Sequence, residues 1–514
     1  MSIDLGIGIP KIDITSRQLA SDQALGRIAS GSALLFVGTF LGLGLNYVYA
    51  IALARLLGPE QFGLYAIGFG CFTLLSVIAL AGLDSAVLRF IPEARAQADT
   101  VRVARTVRAT LVLASCFASV LAGAMWFGSN TIAEQVFHNG AASLVLAFFA
   151  LSIPLYVVSS ISLTVLQSFG EVRWRTSVKY LCEPVVKFAV TLAFIWVGWG
   201  LTSALVALPI ALVLTTVLAL WPLYHLLTGS SGSVLSKGIY GETLNYSSPL
   251  LGGLIFNSIA MRSDILLLGY WVPIEEVGIY SAAFQTSAIM AVILGVFESI
   301  ATPYLSESIS RNDQGQIRSL AGTVLRWTLT ATFPLFLLIT VFANEIMALF
   351  GQAFASGSSC LIILVLGQFV QSAMGCSNSL LLWTGHSKLV MWNSIAASVV
   401  QVGLYLLLIP SYGAIGAAVA TCAGLVLVVI MRSVQVHKVL DLWPHDWTTL
   451  KPLISGLGAL LVVVITRMAF ESVHVMLLVG LFAMAYAGFL YVMGLHEGDR
   501  EMLLKLRQRL SELG

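Results

Sequence analysis

The sequence predicts an all-α polytopic membrane protein: fourteen transmembrane helices, arranged as two parallel-repeat six-helix lobes around a central cavity, plus two extra C-terminal helices. Three observations predict it. Hydrophobic side chains make up 58% of the 514 residues and charged ones only 10%, where soluble chains carry roughly a quarter charged. Mean hydropathy is +0.92, and apolar runs longer than the roughly 18 residues needed to cross a bilayer follow one another along the chain. A set of short motifs also recurs at a single offset. The same composition excludes a disordered chain and a disulfide-stapled secreted fold, and a net charge of +2 argues for no nucleic-acid partner.

Residues 1–28 read as a cytoplasmic amino-terminal segment. Asp4, Pro10, Lys11, Asp13 and Asp22 interrupt any signal peptide, and Gln18 to Ile28 reads as a short amphipathic lead-in at the membrane surface. Apolar segments then centre near residues 42, 73, 118, 153, 189 and 213, which makes 29–228 an N-lobe of six helices. A cytoplasmic linker, 229–246, leads to segments centred near 259, 290, 337, 370, 400 and 422, a C-lobe over 247–432. After a cytoplasmic loop, 433–451, the last two segments centre near 460 and 484 within 452–494, and 495–514 forms a cytoplasmic tail. No connection is long enough to hold an inserted soluble domain.

Basic residues set the orientation, because cytoplasmic loops are enriched in Lys and Arg. With an inside amino terminus and fourteen spans, 23 of the 27 Lys and Arg fall on the cytoplasmic side. The exceptions are Arg55, Lys187, Arg262 and Arg467, within or at the ends of spans. The outer loops hold Glu60, Glu134, Glu275, Glu276 and Glu471 instead. An odd number of spans would scramble this separation, so both termini are expected inside.

The repeat is visible where PEQFGLY (59–65) follows the first span and IEEVGIY (274–280) the seventh. Glu60, Gly63, Tyr65 and Phe69 match Glu275, Gly278, Tyr280 and Phe284 at an offset of 215, as do Gly170 and Arg173 with Gly385 and Lys388, and Gly198 with Gly413. One residue out of register, Asp84-Ser85 pairs with Glu298-Ser299, and Glu93 with Glu307. Six spans separate equivalent points, so the halves run in the same sense. Such parallel repeats are related by an axis along the membrane normal, with a substrate site between them. Small residues, Gly38, Gly42 and Gly44 in the first span and Gly413, Gly416, Ala417, Ala418 and Ala420 around the twelfth, permit close backbone approach.

The strings LARLLGPEQFGLYAIGF, GLDSAVLRFIPE, MRSDILLLGYW with VGIYSAAF, and PSYGAIGAAVAT at 410–421 resemble the polysaccharide transporter family. It lies within the multidrug/oligosaccharidyl-lipid/polysaccharide flippase superfamily and includes the O-antigen-type lipid-linked oligosaccharide flippases. The resemblance runs over nearly the whole chain. It implies a flippase that moves a polyprenyl-diphosphate-linked oligosaccharide from the cytoplasmic to the outer leaflet of the bacterial inner membrane by alternating access. Its partners would be that lipid-linked substrate, membrane lipid, and a polysaccharide polymerase or assembly proteins. The alternatives within the superfamily are a cation-coupled multidrug antiporter and a peptidoglycan lipid-precursor flippase. Antiporters typically carry a carboxylate in the first helix, and residues 31–54 contain none.

A charge at mid-membrane depth costs roughly 3 kcal/mol or more, so each one needs a reason. Arg262 and Asp264 lie in the seventh span, which the resemblance places beside the central cavity. Two residues apart on a helix, they point away from each other. Arg262 is the candidate for the diphosphate, since guanidinium matches phosphate with paired hydrogen bonds; an inter-helix salt bridge is the competing role. Asp264 reads as structural or as a coupling-ion ligand. Asp84 and Glu298, repeat mates on cavity helices by resemblance, are candidates for a cytoplasmic gate with Arg89 or for coupling; interfacial solvation competes. Glu183 and Lys187, spaced i,i+4 across Pro184, read as a local ion pair, with Lys187 otherwise a second phosphate contact. Arg55 either snorkels to the outer surface or meets the diphosphate on its way out.

No catalytic constellation is expected. The six cysteines and seven histidines show no metal-ligand or redox spacing, and the outer-loop Glu134, His138, Glu275, Glu276, Glu471 and His474 form no recognisable set. There is no GxxxxGK[ST] loop, so no nucleotide is expected as direct energy source; a proton or sodium ion is the coupling candidate. Trp174, Trp199, Trp271 and Trp392 offer faces for sugar stacking, although tryptophan is expected at membrane interfaces in any case.

Overall fold

The computed structural model describes residues 14–227, 237–311, 313–441, 447–469 and 474–494. The linker residues 229–236, the tail 495–514, Glu471 and the side chains of Gln18–Ile28 lie outside the described residues. The described chain is helical from end to end. In order it forms α1 (Ile14–Leu80), α2 (Leu83–Ala96), α3 (Thr100–Gln135), α4 (Ala141–Ser168), α5 (Val172–Thr176), a π-helical turn at Ser177–Cys182, α6 (Glu183–Trp196) and α7 (Leu201–Leu227). The second half follows with α8 (Lys237–Trp271), α9 (Ile274–Ser310), α10 (Gln314–Val341), α11 (Ala343–Ala348), α12 (Ser358–Ala373), α13 (Ser377–Trp383) and α14 (Ser387–Leu440), then α15 (Leu450–Ala469) and α16 (Val475–Met493).

Ten of the described helices are long and apolar enough to cross a membrane. Two of these are pairs of rods joined end to end. α1 breaks at Gly58, whose φ of 77° is left-handed, and Pro59 starts the next rod. α14 breaks at Gly413, at φ 55°. An apolar protein in lipid must satisfy its backbone within the chain, and continuous helices with single-residue breaks do so.

The repeat register has a structural counterpart. Gly170 and Gly385 both end helices with positive φ (96° and 84°), and so do Gly198 and Gly413 (93° and 55°). An L side chain rarely adopts such angles, so the glycines mark equivalent turns in the two halves.

For brevity, the end of the bundle that carries Glu60, Glu134, Glu275 and Glu345 is called the acidic end, and the opposite one, carrying Arg89, Arg102 and Arg318, the basic end. At the acidic end the second rod of α1 packs along α9. Phe62 meets Phe354 edge to face at 5.9 Å, and Tyr47 meets Phe350 at the same distance. Arg55 donates from Nε to the Leu349 carbonyl, joining the two halves. The Glu276 carboxylate reaches the amide of Ala414 at 3.4 Å, just past the break at Gly413, so two of the recurrent motifs meet.

At the basic end the symmetry-related rods part. α2 turns toward α3, α4 and α8, whereas the far part of α9 packs against α10 and α13. Contact between the halves runs there through the start of α8: Arg89 lies over the Tyr246 ring at 4.7 Å, and Arg102 pairs with Glu242 at 2.9 Å. The last two helices, α15 and α16, pack on each other and on α10 through Phe333, Leu337 and Phe482.

The small residues of the first span serve packing within the first half. A methyl on Gly38 would fall 2.3 Å from the Thr176 side chain, and one on Gly42 2.5 Å from the Tyr180 carbonyl, while Gly44 faces open space.

Candidate functional site

Between the two halves lies a cavity of ≈ 320 Å³. Its walls come from the first rod of α1 (Asn46, Tyr49), the second rod (Tyr65, Phe69), α6 (Lys187), α8 (Arg262) and α9 (Gln285). Its lining lies toward the acidic end of these rods, with Leu43 to Leu53 before the break at Gly58 and Phe62 to Phe69 after it. Among the described residues, the cavity wall carries two cations, one from each half, and no carboxylate.

Lys187 is only 7% exposed. Its Nζ donates to Asn46 Oδ1 at 2.7 Å and lies 4.4 Å from the centre of the Tyr49 ring. Asn46 is itself oriented, because its Nδ2 donates to the Gly42 carbonyl at 2.8 Å. The Tyr49 hydroxyl meets Thr191, one turn beyond Lys187, at 3.3 Å. A lysine ammonium has three protons to donate. An amide oxygen and a ring face hold it in place, but neither carries a full negative charge to neutralise it. Burying an ion costs several kcal/mol unless it is compensated, and Lys187 is held by an amide dipole and a ring face rather than by a paired charge.

The expected Glu183–Lys187 pair does not form. Glu183 pairs with Lys179 at 3.1 Å, one turn the other way. Lys179 shares a helix face with Glu183 and its ammonium lies 4.4 Å over the Tyr156 ring, while Lys187 is taken up by Asn46. The i,i+4 rule allowed both partners, and only the packed helix decides between them.

Arg262 enters from the other half. Its guanidinium lies over the Phe69 ring at 5.8 Å, a contact across the interface between the halves. It forms no ion pair with Asp264, as two residues of helical spacing require. Asp264 points into the second half, 2% exposed, where its Oδ2 accepts from the Tyr280 hydroxyl at 3.0 Å. The chain of contacts continues from Tyr280 to Thr421 at 3.1 Å, from Thr421 to Tyr405 at 2.8 Å, and to Tyr405 from Gln401 at 2.7 Å. Arg262 thus faces the cavity while Asp264 anchors a buried polar chain through α8, α9 and α14.

The structure separates the remaining candidates. Arg55 lies at the acidic end on the Leu349 carbonyl, away from the cavity wall. Asp84 sits in the first turn of α2, bonded to the amide of Ser85. Arg89 packs on Phe90 and Tyr246. Glu298 accepts from Ser379 at 3.0 Å within the second half. Asp84, Arg89 and Glu298 therefore sit apart in this arrangement. Asn46, Tyr49 and Gln285 are not among the residues singled out in the sequence, and Phe69 figures there only as a repeat mate of Phe284. An Asn inside an otherwise apolar span was the one signal that could have raised Asn46.

Among the described residues, no group of three His, Cys, Asp or Glu side chains converges to hold a metal.

Comparison with known proteins agrees with this architecture. A family model described as polysaccharide biosynthesis protein matches residues 28–309, more than half of the chain, and the MatE model matches residues 249–407. The chain is 24% identical over 413 residues to the probable low-salt glycan biosynthesis flippase Agl15 of Haloferax volcanii, covering 79% of this chain and 83% of that one. It is 23% identical to the succinoglycan biosynthesis transport protein ExoT of Rhizobium meliloti, covering 75% and 73%. Among solved structures it superposes on the lipid II flippase MurJ in an inward closed conformation with a TM-score of 0.73, at 15% identity, over 89% of this chain and 98% of that one. An all-helical membrane bundle with motif-bearing joints at Gly58 and Gly413, matched from residue 28 to 309 by one family model, belongs to the polysaccharide biosynthesis protein family.

Proposed function

We propose that this protein is a flippase for a polyprenyl-diphosphate-linked oligosaccharide, carrying it from the cytoplasmic to the outer leaflet by alternating access. The observation that carries the reading is the cavity between the halves, with Lys187 and Arg262 supplied by different halves and no acid among its described lining residues. A diphosphate esterified at both ends, by the polyprenol and by the sugar, is a compact dianion. Arg262 would grip it with its planar fork and Lys187 as a point charge, each from a different lobe. A drug antiporter for cations would need the opposite sign of charge there. The family membership and the names of the relatives support the same cargo class.

The two halves act as the N-lobe (29–228) and C-lobe (247–432), with the final helix pair as an addition. The fourteen-span count follows when α1 and α14 are each counted as two rods, and α5–α6 and α8 as spans. The basic end faces the cytoplasm by the distribution of Lys and Arg. In the arrangement seen, the acidic, outer end is shut. Coupling to a proton or sodium gradient would run through Asp264, whose hydrogen-bonded chain begins two residues from Arg262.

The test is the sidedness of the lipid-linked glycan pool in cells depleted of the protein, read by mass spectrometry and an impermeant glycosidase. One lipid-linked oligosaccharide should accumulate on the cytoplasmic side, and the intact protein should reverse this where Arg262→Ala does not. An unchanged pool together with altered resistance to cationic dyes would move the assignment to an antiporter.

A further inference from the structure

A second cavity, ≈ 470 Å³, opens at the acidic end and plays no part in gripping the diphosphate. It straddles the lobes: Glu60, His138 and Asn139 come from the N-lobe, and Tyr270, Trp271 and Glu275 from the C-lobe. We infer that this groove is a carbohydrate subsite that takes a neutral or amino-bearing pyranose of the cargo glycan and rejects an acidic one. The inference rests on the flippase reading for why a glycan should be present at that end.

The side chains have the chemistry of sugar recognition. Tyr270 and Trp271 are 45% and 36% exposed, with ring centres 5.2 Å apart and planes nearly perpendicular. His138 adds a third ring, 5.5 Å from Tyr270. Such rings present apolar faces to the C–H face of a pyranose at little entropic cost. Carboxylates are acceptors only, so Glu60 and Glu275 suit the hydroxyl or ammonium donors around the sugar rim. Neither forms a hydrogen bond or ion pair with the described residues, and among these no Lys or Arg lines the groove. A uronic acid or phosphorylated sugar would place like charges together with no cation to offset them.

The backbone holds this arrangement in place. Glu60 and Glu275 are repeat mates, each in the first turn of a rod: Pro59 opens one after the break at Gly58, and Pro273 caps the other. The lobe symmetry thus brings both acids to one groove. His138 is held at φ 50°, which is uncommon for a residue with a side chain and marks a constrained turn. An interfacial tryptophan alone would need no such explanation; a polar groove with both lobes as walls does. A divalent cation is the rival occupant, but no three suitable ligands converge among the described residues.

The experiment is saturation-transfer NMR on the full chain in lipid nanodiscs, with maltotriose, the glucosamine trimer of chitosan and trigalacturonate as probes. Maltotriose or the glucosamine trimer should receive magnetisation, and trigalacturonate should not. Trp271→Ala should weaken binding about tenfold. The shape-conserving double variant Glu60→Gln/Glu275→Gln should weaken the glucosamine trimer more than maltotriose, and keeps the test sound if Trp271→Ala fails to fold. Transfer to trigalacturonate equal to the others, transfer to none of the three, or transfer untouched by both variants overturns the subsite. None of these outcomes depends on the sidedness of the lipid-linked pool, so the subsite and the flippase reading fail separately.

Discussion

Gly63 and Gly278, 215 residues apart in sequence, pack backbone to backbone across the interface between the lobes. A methyl on Gly63 would fall 2.0 Å from the Ile274 carbonyl oxygen, and one on Gly278 2.1 Å from that of Pro59. The contact is reciprocal, as expected for a pair lying on the repeat axis. It is a main-chain seal at the acidic end that admits no side chain.

That seal predicts the effect of Gly278→Ala. The added methyl cannot be absorbed by a flexible neighbour, because the atoms it meets are backbone. The two rods should be forced apart by about 1 Å at the contact, which unseats the seal at the acidic end. Spin labels at positions 134 and 356, in a background without native cysteines, should report a longer distance, and transport should fall. An unchanged distance distribution would show that the two rods slide to accommodate the methyl.

Arg262→Ala should abolish most of the diphosphate affinity, about 10- to 100-fold, and Arg262→Lys should recover only part of it because an ammonium lacks the paired geometry. Binding of a short-chain polyprenyl diphosphate by calorimetry measures both. Equal affinities for the Lys variant and the native chain would show that Arg262 acts only through its charge.

Lys187→Gln should weaken the same binding while leaving the fold intact, since it removes a buried ion that has no carboxylate partner. Its midpoint of thermal unfolding in detergent should hold or rise. A sharp fall in that midpoint would make Lys187 a structural residue.

Glu183→Gln should behave in the opposite way. Glu183 is paired with Lys179 at 3.1 Å, both side chains largely shielded, so the variant should lose roughly 1–3 kcal/mol of stability. Diphosphate affinity should stay within about twofold, because the pair sits one turn from the cavity wall. Thermal unfolding and calorimetry on one preparation separate the two effects.

Asp264→Asn should uncouple transport from the ion gradient while leaving diphosphate binding unchanged. Tyr280→Phe should do so in part, by removing the first link from Asp264 toward Thr421. Flux in proteoliposomes with imposed proton and sodium gradients is the measurement. Gradient dependence that survives Asp264→Asn would limit the buried chain to holding α8 against α9 and α14.

The membrane class, the all-helical bundle and the internal duplication could be read from the chain because each rests on local or periodic properties. Apolar length predicts spans, glycine and proline mark the breaks, and a constant offset of 215 reveals the copy. The intramembrane charges could be read as unusual for the same reason: a single Arg or Lys in an apolar run is conspicuous without any structure.

What each charge touches was decided only by packing. Helical spacing let Glu183 pair with Lys179 or Lys187, and in the packed bundle Glu183 meets Lys179 while Lys187 meets Asn46. Spacing set Arg262 and Asp264 on opposite sides of one helix, but could not say which side faced the cavity. Asn46 is a lone amide in an apolar span and Phe69 a member of the repeated motif, but nothing in either pattern says that they and Tyr49 face one cavity. Local sequence encodes the length, breaks and symmetry of helices through short-range sterics and solvation. The rotation of each helix about its axis is set by contacts with all its neighbours at once, and only the folded bundle contains that information.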